Sequence, residues 1–442
     1  MNGQILLMND RKRFLLWAAV AAVVVLVSGG ENVLAYNVIC VPNMGVNPSC
    51  TVAPSPHTIQ EAVTYASPFD IIYVGPGTYN ENVVINTASI SLFGAQAGND
   101  ARVDRHDPSK ESIVNAGRAG PAFTVNANFV VIDGFTVEGG IPAGIYVSPT
   151  GPAPVRRPQV LNNILQNNST GVYLACSTTQ SVEGATAERN LFRNNNLAPG
   201  ISPGVGMASV GKPGLPPVLV QAAVITENEF TGNQAVAISV ALTIGATITE
   251  NTSENDGSLV VFRYTSDSQF TDNQGKNFGH TGVLAWYHGD AAIDIGPNNA
   301  DLEISHNTLE KGEAPISNGM AFTTAFGKGV SDLLNVVGNK IGRFPGYGIV
   351  AEESSVVGTD NESSIIDNQV YENGRGGIFI ERATSNNSGL LLFDNDAEGN
   401  GGYDCEDGTT GSFTSGTANT WFNNIGNTSS PAGLCAPGKK HN

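Results

Sequence analysis

Short apolar runs alternate with turns rich in Asn and Gly along most of the chain. Most copies of this pattern have an Asn, an apolar residue two positions later, and a Gly that opens a short apolar strand, as in LNNILQNNSTGVYLA and IDNQVYENGRGGIFIE. Alternation with a period of two indicates strands rather than pairs of helices. The leading Asn recurs every 22 to 38 residues, at Asn163, Asn190, Asn228, Asn251, Asn273, Asn307, Asn339, Asn368 and Asn395.

Repeats of this length cannot bury their own apolar face, so successive copies must stack to form a continuous core. Strands of one chain that stack in the same direction form parallel sheets, with coils about 4.8 Å apart. Asn suits the turns because it tolerates left-handed backbone and because stacked Asn side chains hydrogen-bond along the stack. The pattern therefore predicts an all-β parallel solenoid.

One short helix is legible near the N-terminus. Thr58 and Glu61 have the spacing of a capping box, and Pro68 ends the segment. The residues between them place an apolar face at helical spacing, formed by Ile59, Ala62, Val63 and Ala66. We expect a helix over residues 58 to 67 that caps the N-terminal end of the solenoid, because the terminal units of repeat folds need a cover.

Several segments resemble a known superfamily. TIQEAVTYASPFDIIYVGPGTYNENVVI resembles the opening of pectate-lyase-like (pectin lyase-like) proteins, and FVVIDGFTVEGG with the Asn turns resembles the parallel-β-helix (PbH1) repeat family. The end, ANTWFNNIGNTSSPAGLC, is similar to the closing segment of secreted bacterial members. The resemblance spans residues 56 to 435 and implies a single-stranded right-handed parallel β-helix. It implies no one reaction, since the superfamily contains lyases, hydrolases, esterases, epimerases and members without known activity.

The N-terminus has the features of an export signal. Basic residues precede the apolar run FLLWAAVAAVVVLV at residues 14 to 27, which is shorter than the roughly 20 residues of a membrane span. Val33-Leu34-Ala35 fits a small-residue cleavage site, so we expect a signal peptide over residues 1 to 35 and a secreted chain from Tyr36. The alternative is an uncleaved segment that anchors the protein to a membrane.

The cysteines agree with export and suggest the domain boundaries. Cys40 and Cys50 lie close to the expected cleavage site, and Cys405 and Cys435 bracket the C-terminal segment, which predicts one local disulfide at each end. Cys176 remains, in an apolar strand, where we expect a buried thiol. The expected units are a disulfide-stapled segment over residues 36 to 57, the β-helix with its capping helix over 58 to 402, and a stapled tail over 403 to 442.

The charge balance narrows the range of partners. The chain has 22 Lys and Arg against 40 Asp and Glu, a net charge of −18. Nucleic acid binding needs a basic surface, so it is not expected. A neutral glycan, or an acidic one bridged by Ca²⁺, fits this charge better than a bare polyanion.

The repeat also predicts which side chains face solvent. Residues one and three after the strand-opening glycines (Gly144, Gly171, Gly282, Gly319, Gly348 and Gly377) are apolar almost throughout, so they should point inward. The residue four after each glycine should then face outward. This outward set comprises Ser148, Ala175, Trp286, Thr323, Glu352 and Glu381.

In this register Glu352 and Glu381 lie about 5 Å apart on neighbouring coils. Like charges at that distance disfavour joint ionisation, which suits an acid–base pair, and a bound Ca²⁺ is the alternative. We expect Glu352, Glu381, His288 and Asp290 to be catalytic. The expected substrate-binding residues are Trp286, as a stacking surface two coils away, with Tyr287, Glu353 and Arg382. No Cys or His spacing indicates a metal ligand set.

Two functional hypotheses follow. The protein is either a carbohydrate-active enzyme, such as a polysaccharide lyase, glycoside hydrolase or epimerase, or a non-catalytic extracellular rod that binds a glycan or surface. Gly77-Thr78-Tyr79-Asn80-Glu81 is similar to a pectin methylesterase motif, but the paired aspartates of that family are absent. This motif is therefore interpreted as structural. By the same reasoning, the Glu352 stripe has an ordinary alternative as a surface ion pair with Arg382.

Overall fold

The computed structural model describes residues 36–41, 50, 56–103, 105, 107–196, 205–214, 216–279, 291–296, 298–313, 318–323, 331–352, 363–382 and 387–438. In these residues the chain winds into a right-handed parallel β-helix with three faces, which we call the first, second and third sheets. The expected all-β solenoid is thus confirmed. Strands of successive coils pair in parallel, and each coil runs from the first sheet to the second, then the third.

The first sheet is built from the longest strands. Its strands are Val83–Ile85, Phe123–Val125, Ile145–Val147, Thr170–Ala175, Val205–Val210, Val236–Ile244, Ser258–Thr271, Ala291–Ile295, Asn318–Phe322, Tyr347–Ala351, Gly376–Ile380, Cys405–Asp407 and Ser429–Ser430. Ser258–Thr271 continues round the corner into the second sheet. Short strands also pair at that corner: Val155–Arg156, Val182–Glu183 and Val220–Gln221.

The second and third sheets complete each coil. The second contains Val38–Val41, Ile71–Val74, Ser91–Phe93, Val131–Asp133, Gln159–Leu161, Thr186–Glu188, Val224–Thr226, Thr247–Thr249, Ala300–Ser305, Asp332–Val337, Ser364–Ile366, Leu391–Phe393 and Thr420–Phe422. The third contains Gly77–Tyr79, Ser112–Asn115, Phe135–Glu138, Ile164–Gln166, Leu191–Arg193, Glu229–Thr231, Thr252–Glu254, Gln274–Phe278, Thr308–Gly312, Lys340–Gly342 and Gln369–Tyr371.

Alternate residues of these strands form one continuous core. In the first sheet, Ile349 and Ala351 are fully buried and stack on Ile378 and Ile380 of the next coil. On the third sheet, Phe192 and Phe230 stack with their ring centroids 4.6 Å apart. The prediction that positions one and three point inward is confirmed at these coils.

A ladder of Asn side chains joins the coils at the corner between the second and third sheets. Asn307 Oδ1 accepts hydrogen bonds from the backbone N–H (2.9 Å) and Nδ2 (3.1 Å) of Asn273. Asn307 Nδ2 donates in turn to Asn339 Oδ1 (2.9 Å) and to the carbonyl of Phe270 (2.9 Å). The ladder contains every Asn of the predicted series and also Asn424.

The expected backbone role of these Asn residues is wrong. The left-handed conformation falls on the residue before each one, for example His306 (φ 56°) and Asp367 (φ 54°). The ladder Asn is buried at the turn, where its amide satisfies neighbouring backbone groups that water cannot reach. Its function is therefore hydrogen bonding between coils.

A shorter ladder at the corner between the third and first sheets includes a carboxyl group. Asn168, Asn195 and Asn233 bond in series, and Asn233 donates from its backbone N–H (2.6 Å) and Nδ2 (2.9 Å) to Asp256 Oδ1. Ser253 Oγ donates to the other oxygen at 2.6 Å. Asp256 is fully buried, and burial raises the pKa of its carboxyl to about 7 despite these hydrogen bonds.

The predicted capping helix spans Ile59–Tyr65, with Thr58 as N-cap and both capping-box hydrogen bonds formed. Glu81 accepts from the backbone N–H groups of Ile59 and Gln60, both at 3.0 Å. The Gln60 amide bonds both the N–H (2.7 Å) and the carbonyl (3.3 Å) of Val84, in the first described strand of the first sheet. The cap thus satisfies an exposed sheet edge, which supports the structural interpretation of the motif that contains Glu81.

Disulfides join Cys40 to Cys50 and Cys405 to Cys435, in the pairing predicted. Such cross-links are typical of extracellular and periplasmic proteins. Cys176 is a buried free thiol, and burial raises the pKa of that thiol. No helix in the described part of the chain is long and apolar enough to span a bilayer.

Candidate functional site

The C-terminal coils of the first sheet place Thr323, Glu352 and Glu381 at the same position on successive coils. The residues before them, Phe322, Ala351 and Ile380, are register partners. The backbone N–H of Glu352 donates to the carbonyl of Phe322 (3.0 Å), and that of Glu381 donates to the carbonyl of Ala351 (2.9 Å). The register predicted for the two carboxylates is therefore the observed one.

Hydrogen bonds hold this row in place. Thr323 is buried, and its Oγ1 donates to Glu352 Oε2 at 2.8 Å. Asn387 Nδ2 donates to the backbone carbonyls of Glu352 (2.7 Å) and Glu381 (3.1 Å). These hydrogen bonds fix the backbone of Glu352 and Glu381. Both residues are half-buried, so part of each side chain meets solvent.

An aromatic pair lies beside the carboxylates. The rings of Tyr347 and Phe379 are 4.8 Å apart, tilted by 31°, and both are half-buried. The Arg375 guanidinium lies 5.4 Å from the Tyr347 ring centroid, a cation–π distance. A Cβ at Gly376 would meet the Tyr347 ring at 3.0 Å, so this glycine lets the ring lie across the next coil.

A further carboxylate completes the group. Glu406 is the register partner of Phe379 one coil further on and is half-buried. Burial raises the pKa of Glu406, and Arg375 opposes that rise. Burial raises the pKa of Tyr347 too, with Glu406 and Glu381 adding to the rise and Arg375 opposing it. We call Tyr347, Phe379, Arg375, Glu381 and Glu406 the Tyr347 cluster.

Of the other residues predicted from sequence, Arg382 is described; it follows Glu381 and is exposed. The remaining predicted residues lie outside the described part of the chain; they are Trp286, Tyr287, His288, Asp290 and Glu353.

The predicted register is wrong at the coil assigned to Gly282. Ala291–Ile295 pairs with Ser258–Thr271 on one side and Asn318–Phe322 on the other. Ile293 and Ile295 thus occupy the inward positions expected for Val283 and Ala285, and Gly296 follows where Trp286 was expected. The physical reason is that AAIDI is buried throughout, so it fills the space between neighbouring coils, whereas the local glycine pattern says nothing about pairing.

Sequence reasoning also missed Tyr347, Arg375 and Glu406 as members of the site. Tyr347 directly precedes the strand-opening Gly348, and Arg375 lies two residues before Gly377; the repeat pattern uses neither position. Glu406 follows Cys405 in GGYDCED, where the leading Asn and the apolar spacing are lost. A search for aromatic and charged residues one or two positions before each strand-opening glycine would have found Tyr347 and Arg375.

The described residues contain no group of three or more Asp, Glu, His or Cys side chains that could hold a metal ion. The site therefore offers carboxylates, an arginine and aromatic faces. Such a set hydrogen-bonds hydroxyl groups and stacks against the apolar face of a sugar ring, and half-buried carboxyls can exchange protons.

The fold places the chain among right-handed parallel β-helix proteins. It is similar to the DFA-IIIase of Arthrobacter chlorophenolicus A6 without its lid, with a TM-score of 0.52 and 14% identity, over 81% of this chain and 95% of that one. It is also similar to the catalytic unit of the thermostable GH87 α-1,3-glucanase of Streptomyces thermodiastaticus strain HF3-3, with a TM-score of 0.50 and 14% identity, over 85% and 70%. These likenesses show the fold alone. The chain matches no family model and no curated protein sequence.

Proposed function

We propose that this protein is an exported enzyme that hydrolyses a polysaccharide bound across the C-terminal coils of the first sheet. The observation that carries the proposal is the stacking of Glu352 and Glu381 in register on neighbouring coils, next to an aromatic pair. An α-1,3-glucanase that shares the fold supports a glycan as substrate. The disulfides support export, because they persist in oxidising compartments.

The spacing of the row suits two-step hydrolysis. Neighbouring coils lie about 4.8 Å apart, and the two carboxyl groups of retaining glycosidases lie about 5–5.5 Å apart. The Thr323 hydroxyl donates to Glu352 and orients its carboxylate, so we assign Glu352 as the nucleophile. Glu381 is then the acid.

In this mechanism the bond from the anomeric carbon to the leaving oxygen breaks as Glu381 gives its proton to that oxygen. The electron pair of Glu352 forms an ester to the anomeric carbon. Glu381, now ionised, takes a proton from water, whose oxygen attacks the anomeric carbon and releases Glu352. The protons balance, and no redox partner is required.

The test is a screen of the purified chain against neutral and acidic polysaccharides, with and without Ca²⁺. New reducing ends and unsaturated products would be followed together. The variants are Glu352→Gln and Glu381→Gln. A matched control is Glu303→Gln on the second sheet, because Glu303 is also half-buried and accepts a hydroxyl hydrogen bond, from Ser305 at 2.7 Å.

We expect new reducing ends that disappear in both site variants and persist in the control. Unsaturated products would show that the reaction is a lyase reaction and not hydrolysis. Binding without any product would show that the protein is a non-catalytic glycan-binding rod. Equal activity in all variants would show that Glu352 and Glu381 have no catalytic role.

A further inference from the structure

Phe379 has a carboxylate beside it in two directions, one along the chain and one on the next coil. Glu381 lies two residues further along the chain, directly after the strand Gly376–Ile380, and its backbone N–H continues the sheet pairing, so both side chains project from the same face. Glu406 lies in register one coil further along the axis. The Tyr347 ring packs against Phe379 at 4.8 Å. An apolar surface about one sugar ring wide is thus bordered by hydrogen-bond acceptors.

The charge of this surface indicates which sugars fit it. Two acidic groups, Glu381 and Glu406, act on Tyr347 against one basic group, Arg375, within the described residues, and the whole chain carries a net charge of −18. Arg375 lies over the Tyr347 ring, and its charge is partly matched there by Glu406. A uronate carboxylate bound against the Tyr347 and Phe379 rings would be repelled by the acidic groups that border them, whereas a sugar hydroxyl would find hydrogen-bond acceptors there.

We infer that the Tyr347 cluster is a subsite for one neutral, hydroxyl-rich sugar ring, which stacks on Tyr347 and Phe379 and donates hydrogen bonds to Glu381 and Glu406. The inference rests on the proposed function and narrows its substrate to a neutral glycan. The Tyr347 hydroxyl stays protonated at neutral pH and adds a donor to the same surface.

The same sheet offers an internal comparison. Tyr146 and Tyr173 also lie on neighbouring coils, with ring centroids 5.6 Å apart, but they meet edge to face at 75°. Their register neighbours on the adjoining coils are Thr124 and Ala208, which carry no charge. This pair therefore has the aromatic surface without the bordering carboxylates.

The experiment measures binding of the full chain by calorimetry. The probes are neutral hexaoses of α-1,3-glucose, β-1,4-glucose and β-2,1-fructose, with α-1,4-galacturonate hexaose as the anionic probe. The Glu352→Gln background prevents turnover during the measurement. In that background, Tyr347→Leu and Glu406→Gln are compared with Tyr146→Leu, and circular dichroism checks that each variant folds.

We expect at least one neutral hexaose to bind more tightly than the galacturonate. Tyr347→Leu and Glu406→Gln should each weaken that binding by about tenfold, and Tyr146→Leu by less than about twofold. Glu406→Gln keeps the proposal testable if Tyr347→Leu fails to fold.

Tighter binding of the galacturonate, no binding of any neutral hexaose, or equal losses in Tyr146→Leu and Tyr347→Leu would overturn the subsite. These outcomes are separate from failure of the proposed hydrolysis. Neutral binding that depends on Tyr347, in a protein that releases no product, would keep the subsite and remove the catalytic roles.

Discussion

Two rows of side chains run along this β-helix in the same way and differ in what they carry. At the corner between the second and third sheets, the row is the same amide on coil after coil, and Asn273, Asn307 and Asn339 are all buried. At the end of the first-sheet strands the row changes from Thr323 to Glu352 and Glu381, and the carboxylates are half-buried. Repetition of one satisfied residue stabilises stacking. A changing, partly exposed row offers chemistry for a ligand.

The largest expected effect is on activity, in the first-sheet row. Glu352→Gln or Glu381→Gln should lower kcat by about 10²–10⁴-fold, because each variant removes a proton-transfer or nucleophilic group. The free energy of unfolding should change by no more than about 1 kcal/mol, since these side chains are partly solvated. Reducing-end assays and urea unfolding measure the two quantities, and a large loss of stability would assign the row to folding.

The ladder should show the opposite behaviour. Asn307→Ala leaves the backbone N–H and the side-chain amide of Asn273 without their shared acceptor, and the carbonyl of Phe270 without its donor. The expected cost is about 3–5 kcal/mol of unfolding free energy, with glycan affinity unchanged in the folded protein.

Urea unfolding tests this, with Asn427→Ala as an exposed control. An equal cost in both variants would show that the ladder carries no special stability.

The carboxyl in the shorter ladder makes stability depend on pH. The folded pKa of Asp256 is about 7, above the ordinary 3.8, so the native state keeps a proton that the unfolded chain loses. The contribution of protonated Asp256 to the free energy of unfolding is therefore lost as pH rises from about 4 to about 7, by at most about 4 kcal/mol. Asp256→Asn restores the amide that other rungs carry and should stabilise the protein more at pH 8 than at pH 4.

Thermal unfolding of both proteins across that pH range measures the difference. A stability gain that does not vary with pH would mean that Asp256 is ionised throughout.

The smallest expected effect joins the two rows. Thr323 is buried like a ladder residue, but its hydroxyl serves Glu352. Thr323→Val removes one hydrogen bond to a charged group, so we expect kcat to fall by up to about tenfold with KM unchanged. Thr323→Ser is the control that keeps the hydroxyl, and a fall in kcat with Ser equal to that with Val would make the effect one of packing.

Local signals predicted most of the fold. The Asn spacing predicted the ladder, the Thr58 and Glu61 pair predicted the cap, and the cysteine positions predicted both disulfides. The stacking of Glu352 over Glu381 followed from two copies with intact spacing. Where spacing was irregular, prediction failed: Ile293 rather than Val283 lies against Met320.

The sequence by itself determined that the chain stacks in coils, because apolar alternation and turn residues act within a few positions of one another. Only the tertiary structure decided which residues meet between coils. Different coils of the β-helix supply Tyr347, Arg375 and Glu406. The number of residues in each intervening loop sets which side chains they meet. Because lengthening a loop costs little extra free energy, the loops vary in length from coil to coil. The residues that meet between coils are therefore known only once the strand pairing is known.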